Sequence, residues 1–172
     1  MVSKRNMSIF VLLVIAVVAL VFYYIVTMPI TKPLIVQNGD NVTLFYSLRY
    51  TNNTLIQSDF NSTPFSFVVG SGQVIAGFNA AVTGMVIGQT KTFTVQPGEG
   101  YGNINSSLII TVPISDFGNS SLSDGELVNS ANGGRGIIIS FNSTNVTVNF
   151  NNPLAGKTLV FIVKLVSING SR

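Results

Sequence analysis

Apolar residues along this chain first run together and then alternate. From Ile9 to Val26 every side chain is aliphatic or aromatic and none is charged. Those eighteen residues, at about 1.5 Å rise each, make a helix of about 27 Å, close to the hydrocarbon thickness of a bilayer. The run closes on Phe22-Tyr23-Tyr24, where an aromatic belt would lie. A cleaved signal peptide is the other reading. Its apolar part is about 7–15 residues and ends at a small-x-small site, which Tyr-Tyr-Ile-Val-Thr-Met-Pro does not offer. An uncleaved transmembrane helix over 9–27 is therefore expected. Lys4 and Arg5 on its leading flank hold residues 1–8 in the cytoplasm by the positive-inside rule and put the rest outside.

Residues 28–38, with Pro29 and Pro33, read as a short stiff tether. Beyond it the period drops to two. Asn41 to Tyr50 places Val42, Leu44, Tyr46 and Leu48 on one face of a strand. Further strands are expected over Thr54 to Gln57, Pro64 to Val69, Thr90 to Val95 and Thr158 to Ile168. Phe78, Ala81, Val82 and Met85 fall at helical spacing and give one short helix after the first. Between Tyr101-Gly102 and Pro153-Leu154 lie about fifty residues with strand signals at Leu108 to Val112, Ile137 to Phe141 and Val146 to Phe150, and turns at Gly133-Gly134 and Asn142 to Thr144. The pattern is α+β: an antiparallel sheet on one short helix (39–103 and 151–170), a small β-domain inserted at 104–150, and one transmembrane helix ahead of both.

Composition narrows the chemistry. With no Cys and no His, disulfides, thiol nucleophiles, imidazole catalysis and the usual zinc sites are excluded. Of nine basic residues two precede the apolar run, leaving seven against six acidic ones with no Lys/Arg cluster, so a nucleic-acid surface is excluded too. Only 9% of residues are charged, and the polar surface must be Asn, Ser, Thr and Gln. Such a surface loses few paired carboxylates as pH falls, so an acidic exterior is a hypothesis; fold and activity retained near about pH 3 support it, and unfolding below about pH 5 removes it. Asn-x-Ser/Thr sequons start at Asn6, Asn41, Asn52, Asn61, Asn105, Asn119, Asn142, Asn145 and Asn169, nine where random placement of these residue types gives about three. A chain rich in Asn, Ser and Thr makes some of them by composition alone.

Three glycine-punctuated blocks remain: Val74-Ile75-Ala76-Gly77-Phe78, then Gly84-Met85-Val86-Ile87-Gly88-Gln89, then Gly100-Tyr101-Gly102. Their order resembles the FK506-binding-protein family of peptidyl-prolyl isomerases. Residues 39 to 168 resemble its SlyD-like branch in particular, through Asp40-Asn41-Val42-Thr43-Leu44-Phe45-Tyr46, the run Leu108-Ile109-Ile110-Thr111-Val112-Pro113 with Phe117, and the re-entry Asn152-Pro153-Leu154-Ala155-Gly156-Lys157-Thr158-Leu159-Val160-Phe161.

The resemblance implies a fold, an activity and a site. Tyr46, Phe65, Ile75, Phe78, Tyr101 and Phe161 are implied to form the catalytic pocket, with Ile56, Gln57, Val74, Leu108 and Ile110 as further substrate contacts. On spacing alone Phe65, Phe78 and Phe161 read equally as core, and Tyr46 as a locally bonded tyrosine. The implied substrates are proline-containing unfolded or nascent exported polypeptides, handled by a monomer with no cofactor, no metal and no nucleic acid, and the insert is implied to act as a chaperone. Where the family usually has Asp, this chain has Gln57; where SlyD-like re-entry blocks often have His, it has Asn152. No His/Cys-rich tail is present, so no nickel function is expected. Two other readings stay open: a binding module of the same fold with weak catalysis, and a structural surface protein.

Overall fold

A computed structural model describes residues 4–27, 33–118, 121–130 and 133–170, with side chains from Leu13 onward. Pro29 and the sequon at Asn119, both singled out above, lie outside the described residues. The chain divides into two compact units, residues 1–33 and 34–172.

The first unit holds helix α1, Lys4–Thr27. Its large apolar side chains from Leu13 to Val26 are exposed all round, between 46% and 68%. Thr27 closes the helix by donating its hydroxyl to the Tyr23 carbonyl at 2.7 Å. The transmembrane helix expected over 9–27 finds no support here: among the described residues, which carry side chains in α1 only from Leu13 onward, no helix is long and apolar enough to cross a membrane.

The second unit is built on antiparallel sheets. Strand β1 (Asn41–Tyr50) pairs along its whole length with β9 (Leu159–Asn169). Its other edge is shared between β3 (Phe65–Val68) at the start and β2 (Leu55–Ser58) at the end. Strand β4 (Thr90–Val95) covers the far edge of β9. Helix α2 (Ala76–Val82) buries Phe78 and Val82 against this sheet. Gly77 makes the approach possible, since a Cβ there would sit 2.8 Å from a methyl of Val95 on β4.

The apolar period of β9 changes phase. Leu159, Phe161, Val163 and Leu165 are buried in strict alternation, then Val166 is 40% exposed and Ile168 is buried. Pairing with β1 slips at the same point, where Thr43 faces Ser167 but Leu44 faces Leu165. One extra residue reverses which face each later side chain takes.

The expected tether is shorter than predicted, because its last residues are folded in. Val36 is 1% exposed, donates its N–H to the Met85 carbonyl and accepts from Gly84, both at 2.9 Å. An apolar residue at that point gains more from burial than from a place in a linker.

A second sheet lies between Ile109 and Asn149, in the order β5 (Ile109–Pro113), β8 (Asn145–Asn149), β7 (Arg135–Phe141), β6 (Leu127–Asn129). Its core is small: Ile138, Val146 and Val148, with Phe117, Val128 and Phe150 among those packed against them. Strand β6 has no sequence signature, being three residues with Leu127 70% exposed. The neck between the sheets is held by the Asn151 side chain, which accepts from the Asn105 N–H at 2.9 Å and donates to the Asn105 carbonyl at 3.0 Å.

Candidate active site

The concave side of the larger sheet and the start of α2 enclose a cavity of about 250 Å³ lined by Tyr46, Leu48, Gln57, Phe65, Gln73, Val74, Ile75, Phe78, Tyr101 and Phe161. Strand β1 delivers Tyr46 and Leu48 two residues apart, so the pleat sets both on one face. Val74 and Ile75 lie on the turn into α2, and Phe78 follows one helical turn later on the buried face.

Phe78 is the hub of the aromatic wall. Its ring meets those of Tyr46, Phe67, Phe93 and Phe161 edge-on at centroid distances of 6.2, 5.8, 5.8 and 5.2 Å. Phe161 in turn stacks on Phe93 at 5.6 Å, and Phe65 stands edge-on to Tyr46 at 6.0 Å. Offset and edge-to-face pairs at such distances add about 0.5–1.5 kcal/mol each beyond area burial. The floor is therefore rigid: Phe78 and Phe161 are each 4% exposed, whereas Phe65 and Tyr101 at the mouth are 36% and 37% exposed.

Two donors at the cavity are left free. Neither the backbone N–H of Ile75 nor the hydroxyl of Tyr101 has a hydrogen-bond partner among the described residues. Gln73 accepts the Val68 N–H at 3.0 Å through Oε1 and so ties the wall to β3.

No lining residue is an acid, a base or a cysteine. The nearest ionisable support is Asp59, 9% exposed, whose Oδ1 accepts the backbone N–H of Tyr46 and whose own N–H donates to the Tyr46 carbonyl at 3.1 Å. Burial first, then the Asp59 carboxylate, then Tyr101, hold the Tyr46 phenol above its ordinary value of 10.0. Tyr46 thus stays neutral at any physiological pH. Among the described residues no group of three His, Cys, Asp or Glu side chains converges to hold a metal ion.

Eight of the eleven residues singled out from the sequence line this one cavity: Tyr46, Gln57, Phe65, Val74, Ile75, Phe78, Tyr101 and Phe161. Three do not. Ile56 is half-buried in packing against the main core, which takes up its side chain. Leu108 lies in a 3-10 turn (Ser106–Leu108) whose carbonyl accepts the Phe150 N–H at 2.8 Å, at the neck of the second sheet. Ile110 lines a separate cavity of about 530 Å³ in that sheet, with Phe117, Val128 and Phe150 among its walls. Both follow the chain out of the first sheet after Tyr101, so neither reaches the aromatic cavity. Leu48, Gln73 and the support from Asp59 were missed. The two-residue period from Tyr46 points to Leu48, while no spacing marks Gln73 or Asp59.

An aromatic recess with free backbone and phenol donors, and no group that titrates near neutral pH, defines a site suited to an apolar ring and adjoining carbonyls. Residues 32–166 match the family model of FKBP-type peptidyl-prolyl cis-trans isomerases. The chain belongs to that family, and its reaction is rotation about the bond that precedes proline. It is 37% identical over 131 residues to a "Probable FKBP-type 16 kDa peptidyl-prolyl cis-trans isomerase" of Pseudomonas fluorescens, covering 74% of this chain and 87% of that one. It is 39% identical over 103 residues to the short-type peptidyl-prolyl cis-trans isomerase of Methanocaldococcus jannaschii, covering 59% and 66%. The SlyD isomerase of Helicobacter pylori is 31% identical over 119 residues, covering 67% and 64%.

Proposed function

We propose that this isomerase turns over X-Pro bonds in the cavity floored by Phe78, and that the second sheet holds unfolded segments beside it as a chaperone. The observation that carries the first part is the convergence of Tyr46, Phe65, Phe78 and Phe161 around a recess lined by no Asp, Glu, Lys, Arg, His or Cys. Amide resonance makes the barrier, about 18–20 kcal/mol, and no proton has to move to cross it. An apolar recess strips water from the prolyl carbonyl and disfavours the planar, charge-separated form. Preferential binding of the twisted amide then lowers the barrier. The Ile75 N–H and the Tyr101 hydroxyl hold the carbonyls on either side. Gln57 hydrogen-bonds at the rim without charge.

The chaperone assignment draws on the likeness to SlyD proteins and on the exposed apolar side chains of the second sheet, among them Leu127, Ile139 and Phe141. Residues 104–150 are its domain in this reading, 39–103 and 151–170 the isomerase domain. A tetrapeptide assay coupled to a protease that cleaves only the trans form tests the first function. Suppression of aggregation of a reduced, unfolded client tests the second. Loss of the first with retention of the second identifies a binding module instead.

The place of action is the outer face of a membrane, with α1 as the anchor and the isomerase unit outside as a monomer. The support is the uncharged run Ile9 to Val26 within α1, the exposed apolar side chains from Leu13 to Val26, and Lys4 and Arg5 on the flank. Carbonate-resistant membrane association is the expected result; release by carbonate removes the anchor.

A further inference from the structure

The fold holds the sequons in different ways. All seven sequon asparagines whose side chains are described are exposed. They differ in what their neighbours leave free. At Asn41 and Asn145 the +2 hydroxyl is tied to a neighbouring strand and so is turned away from its own asparagine: Thr43 shares a hydrogen bond with Ser66 at 2.9 Å, and Thr147 shares one with Thr111 at 3.0 Å, while the Asn145 Nδ2 is itself engaged, donating to the Thr144 hydroxyl at 3.3 Å. Asn105 has its backbone N–H and carbonyl both locked to the buried Asn151 side chain.

Asn142 and Asn52 are different, each standing in the turn of a hairpin. Asn142 follows β7 and precedes β8. Its Oδ1 accepts three hydrogen bonds, from the Thr144 N–H at 2.8 Å, the Thr144 hydroxyl at 2.9 Å and the Asn145 N–H at 2.8 Å. Its Nδ2 has no partner among the described residues, and the residue is exposed. Three donors on the amide oxygen draw charge from the nitrogen and make its N–H more acidic. Asn52, between β1 and β2, makes the first of these bonds, its Oδ1 accepting from the Thr54 N–H at 3.0 Å.

We infer that Asn142 and Asn52 are N-glycosylated, whereas Asn41 and Asn145 stay bare. The donor class is a lipid-linked glycosyl pyrophosphate. The Nδ2 nitrogen forms a bond to the anomeric carbon, and the bond from that carbon to the phosphate oxygen breaks. The lipid pyrophosphate leaves with the electron pair, and the amide proton passes to a base of the transferase. No redox change occurs. A glycan at each tip projects from the turn that carries it, leaving the strands paired. The inference rests on the extracytoplasmic placement proposed above.

The test uses the full chain purified from the membranes of the cells that make it, digested with chymotrypsin and sequenced by electron-transfer mass spectrometry. Glycan mass is expected on Asn142 and Asn52, and Asn142→Gln is expected to remove one glycan from the intact mass. External protease on intact cells runs in parallel to report location. Unmodified peptides from a domain that the protease digests overturn the glycan assignment and leave the location standing. Unmodified peptides from a protected domain overturn both. Glycan on Asn41 or Asn145 with Asn142 bare overturns the selection by turn geometry.

Discussion

Replacing Tyr101 by Phe removes one hydroxyl and nothing else from the mouth of the cavity. That hydroxyl has no hydrogen-bond partner among the described residues, and the side chain is 37% exposed. The fold therefore loses no internal bond, and stability is expected to stay within about 0.5 kcal/mol. If the hydroxyl holds a substrate carbonyl, its loss is that of one neutral hydrogen bond, about 0.5–1.5 kcal/mol. At about 1.36 kcal/mol per factor of ten, kcat/KM falls about 2- to 13-fold. The split carries further information. A bond made equally to substrate and twisted amide raises KM alone, while one made only in the twisted state lowers kcat. The assay is the protease-coupled turnover of a cis-proline tetrapeptide, with urea unfolding of the same sample as control. Full kcat/KM with unchanged stability refutes the role given to Tyr101. A large loss of stability shows instead that its hydroxyl has a structural partner.

Other perturbations separate site from scaffold. Phe161→Ala opens a cavity beneath Phe78 and Phe93 and should cost about 3–5 kcal/mol in urea unfolding; a smaller cost means that the aromatic floor repacks. Gly136→Ala places a Cβ 2.5 Å from a Val148 methyl and 2.9 Å from the Phe150 ring, so hydrogen exchange should quicken in β6, β7 and β8 while β1 and β9 keep their protection. The Tyr46 phenol gives a pH signature at the alkaline end. Its folded pKa is raised, so the unfolded chain loses this proton first and the folded state binds more protons above pH 10.0. The stability it contributes is intact below that pH and falls as pH climbs above it. Urea midpoints at increasing pH should therefore drop less in Tyr46→Phe than in the parent; an equal drop removes the assignment.

The strands that could be read from the sequence are those long enough to show a period. Asn41–Tyr50 and Leu159–Asn169 are ten and eleven residues long and alternate over Val42 to Leu44 and over Leu159 to Leu165, and both ends fall within a residue of the expected ones. Leu127–Asn129 shows nothing comparable, being three residues paired through the backbone with Arg135 to Ile137 of β7. The shift of phase at Val166 is equally silent, because a bulge belongs to the pairing of two strands rather than to either one. In the site, the aromatic residues were legible through a family pattern, since spacing alone leaves Phe78 and Phe161 indistinguishable from core. They are in fact both: 4% exposed and still part of the recess wall. Leu108 and Ile110, expected as substrate contacts, lie away from the aromatic cavity for a topological reason. The chain crosses at Asn105 and Asn151 into a second sheet, and sequence distance from Tyr101 says nothing about that crossing. Asp59 was invisible because its contact is to the main chain of Tyr46, thirteen residues away.

The central claim is a division of labour between an aromatic prolyl recess and a client-holding second sheet. Its most direct measurement compares the chain with a variant in which residues 104–150 are replaced by a short turn, in two assays run side by side. Turnover of a proline tetrapeptide should be unchanged, while catalysis of a proline-limited protein refolding reaction should fall steeply. Unchanged catalysis in both assays, or loss of tetrapeptide turnover in a variant that still unfolds cooperatively, contradicts the account.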